Sequence, residues 1–390
     1  MLRTLKNTYH LGKAILANSL NGFPSRGLTV IGVTGTDGKT TTSSLIYHIL
    51  QESGQKVALI STVGAYIGDK QYNTGFHVTT PSSFTLQRYI KRAKKWGAKY
   101  LVLETTSHSL DQNRVWGIGY KIGVLTNISH EHLDYHKTYL EYTKAKLKLL
   151  KRAKTVVLNL DDKSFDAVRK PLRGKEVITY SRLNPKASFN LKRFPFTTKL
   201  LGDFNQSNSL AAISVAKKLG IADKTIKLAL KSFQPPPGRQ EILYDKDFKV
   251  IVDFAHTPNS FLEILRDLHR MKKGRLIHVF GSAGKRDITK RPLMGRASGK
   301  YSDVIILTAE DPRNEKVEDI NRMIKRGIPK NKKVLEFVDR EEAIKEAIRM
   351  AKKGDIIIIT GKGHEESMNL GKGEVPWSDK EAVQRSLGNS

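Results

Sequence analysis

Short runs of β-branched and aliphatic residues recur along the chain, separated by longer stretches in which apolar positions return every three or four residues among lysines. Unbroken apolar runs of four to six mark buried strands, and a three-to-four return marks amphipathic helices. The first set of runs predicts strands at 29–33, 57–60, 100–103, 122–126 and 155–158. Their unbroken apolar character predicts burial on both faces, as in a parallel sheet covered by helices. A second set predicts strands at 250–253, 276–280, 304–308, 334–337 and 356–360. The intervening lengths suit crossover helices, so the alternation predicts an α/β protein with mainly parallel sheets. Between the sets, Pro235-Pro236-Pro237-Gly238 cannot continue a helix and is stiff in its proline part. We therefore expect a short helical leader at 1–28, a central domain at 29–234 and a C-terminal domain at 235–390. No internal repeat stands out.

Composition narrows the class. The 390 residues carry 68 Lys+Arg against 38 Asp+Glu, a formal charge of +30, and no cysteine. Without cysteine there is no disulfide framework, no thiolate-held zinc or iron–sulfur cluster, and no thiol nucleophile. A reducing compartment fits, and the cytoplasm is expected. No apolar run approaches the ~20 residues that span a bilayer. The leader mixes Arg3, Lys6, Lys13 and Arg26 with leucines but lacks a continuous apolar core and a cleavage site, so a retained helix is expected. The charge suits nucleic acid, an acidic membrane face or anionic small substrates, and by itself does not choose among them.

The chemistry sits at strand ends. The predicted strand TVIGV runs into Gly35-Thr36-Asp37-Gly38-Lys39-Thr40-Thr41 and then into a helical pattern. Strand, glycine loop and helix make a phosphate-binding arrangement: backbone N–H groups close on phosphate oxygens, Lys39 reaches the outer phosphates and Thr40 can ligate Mg²⁺. The common spacing puts glycine at 33, where this chain has Val33, so the loop is a variant. A second strand ends in Glu104, a carboxylate placed to hold Mg²⁺, or else a capping or salt-bridged acid. His130, His132 and His136 fall within seven residues and suggest zinc. Zinc is discounted because no fourth ligand lies at suitable spacing. VIVDFAHTP, GSAGKRDITKRPLMG, LTAEDPRNE and ITGKGHEE each end a predicted strand of the second set, the edge at which parallel sheets bind ligands.

Together these segments resemble the Mur ligases, ATP-dependent enzymes that add amino acids to the UDP-N-acetylmuramoyl peptide precursor of peptidoglycan. The resemblance is carried in order by VTGTDGKTTT, TTPSSFTLQR, ETTSHSLDQNRV, NISHEHLDYH, GDFNQSNSLAA, VDFAHTP, KRPLMG, EDPRNE and GKGHE, spanning about residues 29 to 385. It is strongest to the members that add the third residue. It implies a central P-loop ATPase domain followed by a C-terminal Rossmann-like α/β domain.

By motif, the resemblance assigns ATP to Gly35, Thr36, Asp37, Gly38, Lys39, Thr40, Thr41, Asn205, Arg239, Asp253 and His256. Magnesium falls to Thr40, Glu104, His132 and Lys146, the last matching a lysine that the family carries as a carbamate. Lys39, Glu104, His132 and Lys146 are the implied catalytic set. Thr79, Thr80, Ser107, Gln112 and Arg114 match the muramoyl-peptide site; Arg286, Glu310, Asp311, Arg313, Gly361 and Glu365 match the amino-acid site. Arg313 can pair with a distal carboxylate that lysine lacks, favouring meso-diaminopimelate. Glu310 and Asp311 depart from the family's Asp-Asn pair. The family's N-terminal uridine-gripping domain has no counterpart before residue 29.

The implied reaction is transfer of the ATP γ-phosphoryl to the D-glutamyl carboxylate of UDP-N-acetylmuramoyl-L-Ala-D-Glu, followed by amine attack on the acyl phosphate. Closure about 235–238 is expected, and the protein is expected to act as a monomer without specific nucleic-acid partners. The alternatives are a folylpolyglutamate synthetase-like ligase, or another Mur-type ligase with a different acceptor, and a nucleic-acid-binding ATPase, whose binding would be nonspecific.

Overall fold

The computed structural model describes residues 2–75, 79–129 and 131–388, leaving undescribed the side chains of residues 2–4, 133 and 134. The chain forms two compact units, Met1–Leu200 with Phe204–Gln234, and Leu201–Asp203 with Pro235–Ser390.

The first unit is built on eight strands: β1 Thr29–Thr34, β2 Val57–Ser61, β3 Gly64–Ile67, β4 Lys70–Tyr72, β5 Tyr100–Glu104, β6 Tyr120–Leu125, β7 Thr155–Asn159 and β8 Glu176–Tyr180. Their order is β4-β3-β2-β5-β1-β6-β7-β8. β1 lies between β5 and β6 and is parallel to both. Only the β2-β3-β4 edge is antiparallel. Side chains alternate along β1: Val30 enters one apolar layer and Ile31 and Val33 the other. Helices Ser83–Trp96 and Tyr139–Arg152 cover the first face through Leu86, Ile90, Leu149 and Leu150. Helices Lys39–Glu52 and Asp203–Lys218 cover the second through Leu45, Ile49, Leu210 and Ile213. Each such fully buried aliphatic side chain contributes about 1.5–3 kcal/mol. The chain leaves β1 towards β2 on one side and β5 towards β6 on the other, so the crevice at the C-terminal end of β1 is the switch point where such sheets bind ligands.

The second unit has β9 Glu241–Asp245, β10 Lys249–Asp253, β11 Leu276–Phe280, β12 Val304–Leu307, β13 Lys333–Glu336 and β14 Ile356–Thr360, in the order β13-β12-β11-β14-β10-β9. All pair in parallel except the edge strand β9. A small hairpin, β15 Ser367–Asn369 with β16 Glu374–Pro376, follows. Behind the C-terminal edge of this sheet, Arg340 is buried with Asp379: Nε donates to Oδ1 at 2.7 Å and Nη2 to Oδ2 at 2.8 Å. The remaining guanidinium protons reach Ala309 O at 3.0 Å and Thr360 O at 2.8 Å, tying the ends of β12 and β14 together.

All ten strands expected from the apolar runs are present, with ends within two residues of those expected. β3, β4, β8, β9, β15 and β16 were not anticipated. They are edge or hairpin strands, short or exposed on one side, and such positions need no unbroken apolar run. The leader contains the helix Leu2–Leu20.

Because Arg340 and Asp379 are both fully desolvated, removing one strands the other. Arg340→Ala is expected to lower unfolding free energy by about 3–5 kcal/mol, read from urea denaturation, whereas Arg340→Met/Asp379→Leu recovers much of the loss. A single variant as stable as wild type would show the pair to be dispensable.

Candidate functional site

In the first unit the glycine loop leaves β1 in the space between β5 and β6. Gly35 has no room for a side chain, since a Cβ there would lie 1.7 Å from Thr126 Oγ1. Gly38 takes a left-handed φ of 78° and opens the helix Lys39–Glu52 without a side-chain cap, so the loop runs directly into a helix N-terminus, the end that favours anions. The loop is pinned by the segment after β6. Thr36 N donates to Asn127 O at 3.0 Å and Asp37 N to Asn127 Oδ1 at 3.0 Å, while Thr126 Oγ1 and Asn127 Nδ2 donate to Asp37 O at 2.7 and 3.1 Å. Lys39 Nζ donates to Thr36 O at 2.7 Å, folding the ammonium over the loop. Thr41 is buried in the first helical turn. Asn205, also buried, accepts from Asn208 Nδ2 at 2.9 Å, and Asn208 Oδ1 accepts from Thr42 Oγ1 at 3.3 Å.

Glu104 ends β5 beside this loop and is buried. Its Oε1 lies 3.1 Å from Thr40 Oγ1 and 3.0 Å from Thr62 Oγ1, and its Oε2 accepts from Thr62 N at 3.0 Å. The expected muramoyl-peptide residues gather around it. Thr79 Oγ1 is 3.0 Å from Thr62 Oγ1, Thr80 Oγ1 donates to Glu104 O at 3.2 Å, and Arg114 Nη1 donates to Thr80 O at 2.6 Å. Ser107 Oγ is 3.0 Å from His136 Nε2, and Gln112 Nε2 donates to Tyr135 OH at 3.4 Å.

The histidine-rich segment packs as rings. His132, at φ 56°, meets His108 edge-on at 4.7 Å between centroids, and His108 lies 4.3 Å from Tyr135 and 5.4 Å from His136. His130 lies outside the described residues. Among the described residues no cluster of three or more His, Cys, Asp or Glu side chains could hold a metal. The hydroxyl of Thr40 and the carboxylate of Glu104 are hard oxygen donors facing each other at the phosphate loop, the donor type that suits Mg²⁺ shared with phosphate.

Lys146 is buried, donates from Nζ to Gly35 O at 2.5 Å and lies 4.3 Å above the Tyr142 ring. Tyr142 OH in turn is 3.1 Å from Thr36 Oγ1. Burial, aided by the charge of Lys39, holds the Lys146 ammonium well below the usual lysine range, against the opposing pull of Asp37 and Glu131. A lysine so placed is biased to the neutral amine, the form that adds CO₂.

The second unit presents its own cluster at the C-terminal edge of its sheet. Asp253 ends β10 and accepts from Gln240 N at 2.8 Å and Ala255 N at 2.7 Å. Arg239 stacks 4.5 Å over Phe254, and His256 Nδ1 is 2.8 Å from Phe254 O. After β12, Asp311 Oδ1 accepts from the buried Lys362 Nζ at 2.8 Å and from Asn369 N at 3.0 Å, and Lys362 also pairs with Glu365 Oε2 at 2.7 Å. The acid at 311 therefore balances a buried ammonium, a task that an amide would not perform. Arg313 donates from Nη1 to Gly284 O at 2.9 Å, while Arg286 is exposed on the loop after β11. Glu310 is buried against Gly361, where a Cβ would lie 2.5 Å from Glu310 Oε2. That Oε2 has no hydrogen-bond partner among the described residues. Burial pushes the Glu310 carboxyl up to about 8, against the pull of Lys290 and Arg340, with Asp311 adding to the rise and Lys362 opposing it.

Sequence reasoning missed Thr62, Asn127, Asn208 and Tyr142, and gave Lys362 only as part of the segment from Gly361 to Glu365. Thr62 and Asn127 follow the C-terminal ends of β2 and β6, a position that does signal a ligand edge. Asn208 and Tyr142 sit inside helices, where nothing local sets them apart.

Two family models match the chain: the Mur ligase middle domain over residues 33–216, and the Mur ligase glutamate ligase domain over residues 238–363. The Aquifex aeolicus protein named UDP-N-acetylmuramoyl-L-alanyl-D-glutamate--2,6-diaminopimelate ligase is 42% identical over 97% of this chain and 81% of the relative. A Clostridium acetobutylicum protein of the same name, numbered 1, is 38% identical over 96% and 81%. A solved structure of a ligase of that name is 32% identical, covers 93% of this chain and 79% of its own, and superposes with a TM-score of 0.64.

The raised Glu310 carboxyl has a pH signature. Below about pH 4.5 it is protonated in both folded and unfolded chains, whereas between 4.5 and about 8 only the folded chain keeps the proton. Its contribution to stability is thus full below 4.5 and is lost as the pH rises towards 8. Glu310→Gln keeps the shape without titrating, so the wild type should lose stability relative to the variant across that window in unfolding midpoints taken from pH 4 to 9. Parallel curves would place the Glu310 titration near its ordinary value.

Proposed function

The chain belongs to the Mur ligase family, and on that premise we propose that it joins meso-diaminopimelate to UDP-N-acetylmuramoyl-L-alanyl-D-glutamate, consuming ATP. The observation that carries this reading is the buried Glu104 carboxylate facing Thr40 and Thr62 at the phosphate loop, with Thr79, Thr80 and Arg114 gathered beside it. One oxygen cluster thus serves both a nucleotide and an acceptor. We assign the ATP phosphate loop and the acceptor to residues 29–234 and the incoming amino acid to residues 235–390, with 1–28 as a leader, and place the enzyme in the cytoplasm.

A carboxylate is a poor electrophile, so the acceptor carboxylate oxygen first attacks the γ-phosphorus of ATP; an O–P bond forms and ADP leaves. Lys39 and the loop N–H groups offset charge on the moving phosphoryl group. Thr40, Glu104, His132 and Lys146 as its carbamate would hold Mg²⁺, which when bound neutralises phosphate charge. The carbamate forms when the Lys146 amine adds to CO₂ and sheds a proton, turning a buried base into an anion. The amine of the amino acid then attacks the acyl carbon, the C–O bond to phosphate breaks, and the nitrogen loses a proton. Gln112 and Ser107 position the peptide acceptor. Arg239, Asp253, His256 and Asn205 serve the nucleotide. In the second unit, Arg313 and Arg286 take the distal carboxylate, while Glu310, with its open Oε2, accepts from an ammonium of the amino acid, and Gly361 leaves room for it. The Lys362 bridge fixes Asp311 and Glu365 around them.

The test is phosphate release from ATP with the muramoyl dipeptide, comparing meso-diaminopimelate, L-lysine, and tetrahydrofolate with glutamate. Release is expected with diaminopimelate, at least ~10-fold slower with lysine for want of the Arg313 pairing, and absent with folate. Lys39→Ala should lose nearly all turnover. Release with folate and not with the dipeptide would overturn the reading.

Lys146→Ala is expected to be almost inactive and partly restored by millimolar short carboxylic acids, which return an anion to the vacated space. Wild-type rates without added acid would remove the carbamate from the mechanism.

A further inference from the structure

The helix Leu2–Leu20 turns the wrong side to the protein for a packing element. Its inner side is small and polar. Ala14, Ala17 and Asn18 are buried, Asn18 Nδ2 donates to Ala14 O at 3.0 Å and Trp116 O at 2.7 Å, and Asn7 Nδ2 donates to Asp111 Oδ2 at 3.2 Å. Its outer side is aliphatic: Leu5 is 61% exposed, Tyr9 62%, Leu16 52% and Leu20 66%. At about 100° per residue these four positions fall within an arc of roughly 60°, diametrically opposite Ala14 and Asn18. Exposed Lys6 and Lys13 border the stripe on one side, with Lys13 Nζ 5.0 Å from the Tyr9 ring centroid. Gly12 and Ser19 border the other, with Ile15, 40% exposed, further round.

Buried alanines and hydrogen bonds from Asn7 and Asn18 thus fix the helix to the first unit, and the large apolar side chains are left in water. Scattered exposed leucines need no explanation, but four large side chains aligned on one face of a helix do. The charges around it indicate the occupant. The helix contains no acidic residue, the chain carries +30, and Arg26 and Lys94 meet just beyond the helix, where Lys94 Nζ donates to Arg26 O at 2.9 Å. One tyrosine among three leucines is a poor platform for a nucleic acid, whose successive bases need successive stacking rings. An aliphatic face rimmed by ammonium groups and an interfacial tyrosine matches the boundary between acyl chains and anionic headgroups. Among the described residues no helix is long and apolar enough to cross a membrane, so the match is to a helix lying flat.

We propose that the helix Leu2–Leu20 is an in-plane membrane anchor. It seats Leu5, Tyr9, Leu16 and Leu20 at the surface of a bilayer bearing anionic headgroups, with Lys6 and Lys13 at phosphate level. The proposal stands apart from the ligase reading.

The experiment is co-sedimentation of the full chain with vesicles of phosphatidylglycerol and phosphatidylcholine, or of phosphatidylcholine alone. Binding to the anionic vesicles is expected, at least ~10-fold tighter than to the neutral ones and weakened by salt. Leu5→Glu/Leu16→Glu should lose at least ~10-fold in binding while keeping its circular dichroism and its phosphate release without vesicles. Lys6→Glu/Lys13→Glu should lose the preference for anionic lipid. The proposal falls if the wild type stays in the supernatant with both lipids. It falls equally if the leucine variant sediments like the wild type, which would leave only the body charge at work. If the leucine variant instead splits a wild-type dimer in sedimentation velocity, the stripe is a contact between copies and the anchor is wrong.

Discussion

The phosphate loop holds its shape because two strands flank the one that delivers it. Five residues with two glycines would collapse onto any available donor, and Lys39 does fold back to Thr36 O. What keeps the loop open is Asn127, which takes both the N–H and the carbonyl of Asp37, and Thr126, whose hydroxyl occupies the only space a side chain at residue 35 could use. On the opposite flank Glu104 anchors the first turn of the following helix through Thr40. Both supports exist only because β5 and β6 are hydrogen-bonded to β1 on its two sides, in register, so that all three strands end at the same level.

That arrangement also settles the electrostatics. Glu104 stays buried because three donors converge on it, whereas Lys146, with one carbonyl and an aromatic face, has too little compensation to keep a full charge. The two groups therefore sit at the same loop in different surroundings, Glu104 ringed by hydrogen-bond donors and Lys146 with its ammonium disfavoured by burial. The second unit handles its buried charges by pairing: Arg340 with Asp379, and Lys362 with Asp311 and Glu365. Glu310, set among these charges with Oε2 unengaged among the described residues, is the exception: burial raises its carboxyl even though Lys290, Arg340 and Lys362 pull the other way.

The excess of basic residues acquires a second meaning beside the leucine stripe. A chain at +30 draws anionic substrates to its clefts and anionic surfaces to its flanks with the same field. Short-range shape separates the two uses: a glycine loop with aimed N–H groups for phosphate, and a flat aliphatic face for lipid.

Ten strands, nine of them largely buried, the α/β class and the glycine loop were legible in the sequence because each depends on residues close together in the chain: an unbroken apolar run, a helical period, two glycines before a lysine. Family likeness extended that reading to Glu104, Lys146 and Arg313, each recognisable from a few neighbours. What the sequence could not determine is who touches whom across the sheet. Thr62 stands 42 residues from Glu104 and Asn127 stands 90 from Asp37, and the acid at 311 made sense only once Lys362 lay against it. The edge strands β4, β8 and β9 and the outward face of the first helix were hidden for the same reason. Local sequence sets which conformations a segment prefers, but strand order and register, fixed by packing the whole apolar core, decide which distant side chains share a volume from which water is excluded.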